Sequence, residues 1–221
     1  MFYGAHTFAP SSSVLRNLKH KTLISKRYNS NWLINLQLLQ KQFQKASDPF
    51  VRFISAYPPS VAVYSDGQVK TFKDLCRKDI IYFDATGGIL KPSESNRKYQ
   101  IYTLLVRNPF DGGPNLPIAS YISTMHDSSS IKRFLELFLN DSVRICNNKK
   151  KPLVMMIDGS KAMWNAVLGA MCSESRLEYY IRWYRIVSGK AKPGDFQRLL
   201  VRNCLSHVMK SAKIFVCEHF K

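Results

Sequence analysis

Two short runs of uninterrupted apolar residues, each stopped by an aspartate, constrain this chain more than any other feature. They are Ile80-Ile81-Tyr82-Phe83-Asp84 and Leu153-Val154-Met155-Met156-Ile157-Asp158. An apolar run this short, without alternation, reads as a buried strand of a sheet covered by helices. The second run leads at once into Gly159-Ser160-Lys161 and a helix-period stretch from Ala162 to Met171, so strand, turn and helix follow one another. Behind the first run, after Thr86-Gly87-Gly88, Tyr99 to Val106 and Leu116 to Thr124 predict two more strands. They are joined through Asn108-Pro109-Phe110-Asp111-Gly112-Gly113-Pro114, whose residues favour a reversing loop. Ser128-Ser129-Ser130 predicts the cap of a helix with Ile131, Phe134, Leu135, Phe138 and Leu139 on one face. A further helix is predicted from Ser175 to Val187, and Leu199-Leu200-Val201 predicts a last strand that runs into a final helix.

The order implies an α/β fold: a mixed sheet of three antiparallel strands and then two helix-linked strands. In that arrangement the first and fourth strands lie side by side. Asp84 and Asp158 then come from neighbouring strands although they are far apart in the chain. An acid closing an apolar strand is costly when buried alone, so it is normally paired, hydrogen-bonded or metal-bound. Two such acids can share a divalent cation. Each alone also reads as a helix N-cap or a turn former.

Upstream, Phe50 to Ile54 and Val61 to Tyr64 predict strands, with Ser65-Asp66-Gly67-Gln68 read as a turn. Residues 48–77 are accordingly taken as a short strand-rich bridge. Residues 1–47 contain no Asp or Glu but carry Arg16, Lys19, Lys21, Lys26, Arg27, Lys41 and Lys45. Two helices are predicted there, one behind Ser11-Ser12-Ser13 and one through Trp32, Leu33, Leu36, Leu39 and Phe43. With a net charge of +18 over 221 residues, a polyanion is the expected partner. Arg16, Lys19, Lys21, Lys26 and Arg27 are the first candidates for phosphate contact. The same residues also read as a solvated helix face, or as a mitochondrial transit peptide. No stretch is long and apolar enough to span a bilayer, so no membrane is expected. Five cysteines, an odd number without a C-x-x-C pair, suggest a reducing compartment.

Taken as a set, Phe83-Asp84-Ala85-Thr86-Gly87, Ile157-Asp158-Gly159-Ser160-Lys161-Ala162 and Cys204-x-x-His207 resemble the transposase domain of Mutator-like DNA transposons. Phe8-Ala9-Pro10-Ser11-Ser12-Ser13-Val14-Leu15-Arg16 resembles the region that precedes that domain. The resemblance covers most of the chain. It implies an RNase H-like core over residues 78–221 with residues 1–47 as a basic helical extension. It also implies DNA as partner, Mg²⁺ or Mn²⁺ as cofactor, and Asp84 and Asp158 as the first two acids of an Asp-Asp-Glu triad. Those acids would be catalytic and metal-binding, in cut-and-paste strand cleavage and transfer. Cys204 and His207 match a family motif near the active site. The family's third acid lies on a helix beyond an insertion downstream of that motif, whereas here only Glu218 follows His207. The family's N-terminal zinc-binding module has no counterpart before Cys76. The resemblance thus implies a fragment or remnant, incomplete at its active site. A non-catalytic, host-adopted DNA-binding protein is the alternative. Nuclear location follows from the DNA chemistry, with the mitochondrion as the other reading.

Cys204, His207, Cys217 and His219 have ligand types that allow Zn²⁺, but the second pair does not match known zinc spacings. A buried thiol beside a structural histidine is the plainer reading. His126 lacks an accompanying nucleophile motif and reads as a loop or strand-end residue. Gly159-Ser160-Lys161 lacks the upstream glycines of a phosphate-binding loop. Tyr179, Tyr180, Trp183 and Tyr184, interleaved with Arg182 and Arg185, read either as a base-stacking surface or as core.

Overall fold

A single mixed sheet organises the computed structural model, which describes residues 29, 31–44, 49–90, 97–109, 113–147 and 149–209. Its strands are β1 (Val51–Ala56), β2 (Pro59–Val63), β3 (Ile81–Gly87), β4 (Gln100–Val106), β5 (Leu116–Ser123), β6 (Val154–Ile157) and β7 (Leu200–Asn203). They lie side by side in the order β1-β2-β5-β4-β3-β6-β7. The pairs β3–β6 and β6–β7 are parallel, and the others are antiparallel. The three central antiparallel strands β3, β4 and β5 and the two helix-linked strands β6 and β7 thus follow the order expected from the sequence. The β1–β2 hairpin pairs with β5 in the same sheet, so residues 48–77 extend the sheet as well as bridge to it.

Only alternate residues of the two apolar runs are fully buried. Ile81 and Phe83 of β3 and Met155 and Ile157 of β6 are covered, while Tyr82, Val154 and Met156 are half-buried on the other face. The covered face receives α3 (Ser128–Cys146) and α4 (Lys161–Val167). Phe134 of α3 stacks on Tyr121, with ring centroids 5.1 Å apart. Phe138 meets Tyr64 and Phe72 edge-on at 5.1 and 5.0 Å, a favoured aromatic geometry. Asp127, not the serines after it, caps α3: its carboxylate accepts from the Ser130 amide at 2.9 Å. A π-helical turn, Leu168–Cys172, continues α4.

Helix α1 (Trp32–Gln44) matches the predicted second N-terminal helix. The predicted basic helix behind Ser11 lies outside the described residues. Helix α2 (Asp66–Leu75) replaces the turn read at Ser65-Asp66-Gly67-Gln68. Ser65 accepts from the Gln68 amide while the Gln68 side chain accepts from the Ser65 amide. This reciprocal box starts a helix, and Val69 and Phe72 are buried from it.

Helix α5 (Arg176–Val187) opens on the same device, with Ser175 and Glu178 as partners. It closes on Gly189 at φ 73°, where the Gly189 and Lys190 amides return to the Ile186 and Arg185 carbonyls. Its buried face seals the open edge of β7. The Tyr179 hydroxyl donates to the Val201 carbonyl at 2.6 Å and accepts from the Val201 amide at 3.1 Å. One side chain therefore does what a neighbouring strand would do, and the edge is blunted against pairing with another chain. Tyr179→Phe should lower unfolding free energy by about 1–3 kcal/mol, since it leaves both Val201 groups buried and unpaired. Urea denaturation checks this, and an unchanged midpoint would refute it.

Candidate acid pair at the strand ends

Parallel alignment sets the level of the two aspartates. Ile81, Tyr82 and Phe83 of β3 pair with Met155, Met156 and Ile157 of β6, so Asp84 and Asp158 follow at the same step on adjacent strands. Asp84 does not close its strand: β3 runs on to Gly87, and Asp84 pairs across with Thr103 of β4. Its side chain is 44% exposed, on the face opposite Phe83. Asp158 does leave its strand. Its Oδ1 accepts from the Ser160 amide at 2.8 Å, an Asx turn that carries the chain into α4. The turn-former reading therefore holds for Asp158 alongside its place beside Asp84.

Burial raises the Asp158 carboxyl above its ordinary value, and the charge of Asp84 pushes the same way. The Ser160 amide and His207 oppose this without cancelling it. The Tyr102 hydroxyl is pushed up to about 12, first by burial and then by the charge of Asp158. Tyr102 is a neighbour that its sequence context did not single out. Its hydroxyl donates to Gln100 Oε1 at 2.9 Å and lies 3.2 Å from His126 Nδ1, while His126 Nε2 is 3.1 Å from the Lys98 carbonyl. Both nitrogens of His126 are thereby engaged in holding the end of β4, in keeping with a strand-end residue.

Because β7 lies beside β6, the Cys204-x-x-His207 motif comes to the same place. The Cys204 amide donates to the Ile157 carbonyl at 2.7 Å, extending the β6–β7 ladder by one step. A helical turn follows from Leu205. It presents His207 Nε2 to Asp84 Oδ1 at 3.9 Å. His207 Nδ1 is shielded from solvent and has no hydrogen-bond partner among the described residues. The Cys204 thiol is lowered to about 7, first by the Ser206 hydroxyl at 2.9 Å and then by His207.

No family model, curated protein or solved structure matches the chain.

Two carboxylates at the same level of adjacent strands, one of them costly to ionise, are hard oxygen donors that fit Mg²⁺ or Mn²⁺. Magnesium commonly keeps several waters and takes only one or two carboxylates, so this donor set suits it. Among the described residues no group of three or more His, Cys, Asp or Glu side chains is arranged to hold a metal. Cys204 and His207 are near each other, His207 helping to lower the Cys204 thiol, and they are the described half of the zinc reading. Cys217, Glu218 and His219 lie outside the described residues, as do Arg16, Lys19, Lys21, Lys26 and Arg27. The aromatic stripe of α5 divides. Tyr179 and Arg182 are buried, whereas Tyr180 and Tyr184 are exposed. Among the described residues no helix is long and apolar enough to cross a membrane.

Proposed function

We propose that this chain carries the catalytic core of a Mutator-like DNA transposase, an RNase H-like domain in which Asp84 and Asp158 hold Mg²⁺ or Mn²⁺ against a DNA phosphodiester. The observation that carries the reading is the parallel register of β3 and β6, with Phe83 opposite Ile157, which leaves the two aspartates side by side. Support also comes from the sheet order, in which three antiparallel strands precede two helix-linked parallel ones. When bound, the divalent metal supplies Lewis-acid stabilisation and activates the attacking oxygen. Asp84, with a side chain 44% exposed, is open to an incoming phosphate group. Asp158, tethered by the Ser160 amide, is held in one orientation. His207 approaches Asp84 from the β7 side at 3.9 Å, beyond direct hydrogen-bond distance.

A second reading, a non-catalytic DNA-binding protein, is favoured by the lack of a third acid beside the pair among the described residues. Manganese separates the two. Asp84→Asn and Asp158→Asn should each weaken Mn²⁺ binding at least about tenfold, as followed by electron paramagnetic resonance. Equal binding by wild type and both variants would remove the acid-pair assignment. Mn²⁺-dependent nicking of supercoiled plasmid by the wild type, lost in either variant, distinguishes the enzyme from the binding protein.

A further inference from the structure

At the end of the sheet away from the aspartates, two stretches distant in sequence bring lysines to one cleft. Lys73 and Lys78 come from the last turn of α2 and the residues after it, and Lys149 and Lys150 from the loop between α3 and β6. Asn147 and Asp74 complete the lining, and the cleft has a volume of about 610 Å³. Asn147 adopts φ 48°, the left-handed conformation that ends α3 and turns the chain into the lysine loop. An adjoining cleft shares Lys149 and Lys150 and adds Lys151, whose ammonium donates to the Ala170 carbonyl at 3.2 Å.

Helix ends alone do not account for this convergence. The carbonyl ends of α2 and α3 point here, and each is equivalent to roughly half a negative charge that favours a nearby cation. Against two such ends and the Asp74 carboxylate stand the ammonium groups of Lys73, Lys78 and Lys149, an excess of roughly one positive charge without counting Lys150, which has an interaction of its own. Like charges gathered at one cleft from separate elements raise the local positive potential, which draws a polyanion.

We infer that this cleft is a docking surface for the phosphate backbone of double-stranded DNA, separate from the acid pair. The inference rests on the proposed DNA chemistry for its choice of polyanion. Lys151 and Asp158 bracket β6, which separates cleft and acids by on the order of 20 Å at about 3.3 Å per residue. The cleft is therefore a contact surface distinct from the acids. Exposed lysines on a backbone-contacting surface bind without regard to sequence and with steep salt dependence.

The test is fluorescence anisotropy of a labelled 20-base-pair duplex titrated with full-length chain over a series of salt concentrations. Lys73→Ala/Lys78→Ala/Lys149→Ala/Lys150→Ala should bind about 10- to 100-fold more weakly near 0.1 M salt. Its log–log salt slope should be shallower by about 3.6, near 0.9 for each of the four phosphates no longer neutralised. Lys149→Ala/Lys150→Ala should fall between the wild type and the quadruple variant. The exposed pair Lys190→Ala/Lys192→Ala serves as a control that removes two charges elsewhere. Circular dichroism confirms that the variants fold, which is expected because all four lysines are at the surface. Unchanged affinity and slope in the quadruple variant, with the wild type binding DNA, would overturn the cleft and leave the acid-pair reading standing. Weakening equal to that of the control pair, charge for charge, would also overturn it. No duplex binding by the wild type, with lysine-dependent binding to phosphatidylserine vesicles, would reassign the surface to a membrane and overturn it. Mn²⁺ binding by the acids is read separately and is unaffected by these substitutions.

Discussion

Arg182→Met should destabilise the fold by about 3–5 kcal/mol, the cost of leaving a buried charge network without its central cation. Arg182 is 1% exposed and makes a forked contact with Glu174, through Nε at 3.1 Å and Nη2 at 2.9 Å. The same guanidinium donates to the Leu199 carbonyl at 2.9 Å and the Asp195 carbonyl at 3.2 Å. It therefore ties α5 to the start of β7 and to the loop between them. Arg198 reaches Glu174 from the solvent side and Arg185 holds Asp195, so two acids and three arginines form one connected group. Methionine fills much of the volume but leaves the two carbonyls orphaned and Glu174 dependent on the exposed Arg198. Lysine should recover only part of the loss, since one ammonium cannot supply the planar fork. The double variant Arg182→Met/Glu174→Leu should be more stable than Arg182→Met alone, because it removes the stranded carboxylate together with its partner. Urea midpoints for the set decide the matter. A loss below about 1 kcal/mol in Arg182→Met would mean that the network is not what fixes α5.

The same helix marks where reading the sequence stops being sufficient. The period of Leu177, Tyr180, Ile181 and Tyr184 announces a helix, yet these are its exposed residues, and Tyr179 and Arg182 are the buried ones. An arginine is placed inside only when its partners are known. Those partners are a glutamate just before the helix and the carbonyls of Asp195 and Leu199 in the segment leading into β7, which no local pattern reveals. Helix α2 was legible in principle, because Ser65 and Gln68 stand at capping-box spacing. Asp66-Gly67 between them is equally a turn signal, and only the burial of Val69 and Phe72 decides between the two. Strand β3 passes Asp84 because the β4 residues Thr103 to Gln100 continue the ladder beyond it. An acid on the uncovered face of a sheet ends nothing. By contrast, the meeting of Asp84 and Asp158 followed from two apolar runs and the rule for sequential strands. The approach of His207 to Asp84 did not, since it depends on β7 lying beside β6 and on the turn after Cys204.

Asp158→Asn is expected to act in opposite directions on the metal-free and the metal-loaded protein. Burial and the neighbouring Asp84 raise the Asp158 carboxyl in the folded chain, so ionising it costs folding free energy at neutral pH. The sign follows from linkage: the cost is present above the raised folded value and disappears as pH falls through it. Asparagine carries no charge at any of these pH values. Without metal, the variant should therefore be more stable than wild type near pH 7, and the advantage should shrink as the pH is lowered through the carboxylate range. Asp158 is only half-buried, so solvent screening holds the gain to no more than about 1 kcal/mol. With Mn²⁺ the order reverses. A cation held by both carboxylates stabilises the native state by about 2.7 kcal/mol at a hundred times its dissociation constant. The wild type should gain that increment, while the variant, left with Asp84 alone, should gain little. Thermal unfolding with and without Mn²⁺, repeated from pH 7 down to pH 4, reads both effects in one series. A variant less stable than the metal-free wild type at pH 7 would show that Asp158 serves the fold through its Asx turn and not as half of a strained acid pair. Equal stabilisation of both proteins by Mn²⁺ would place the metal elsewhere.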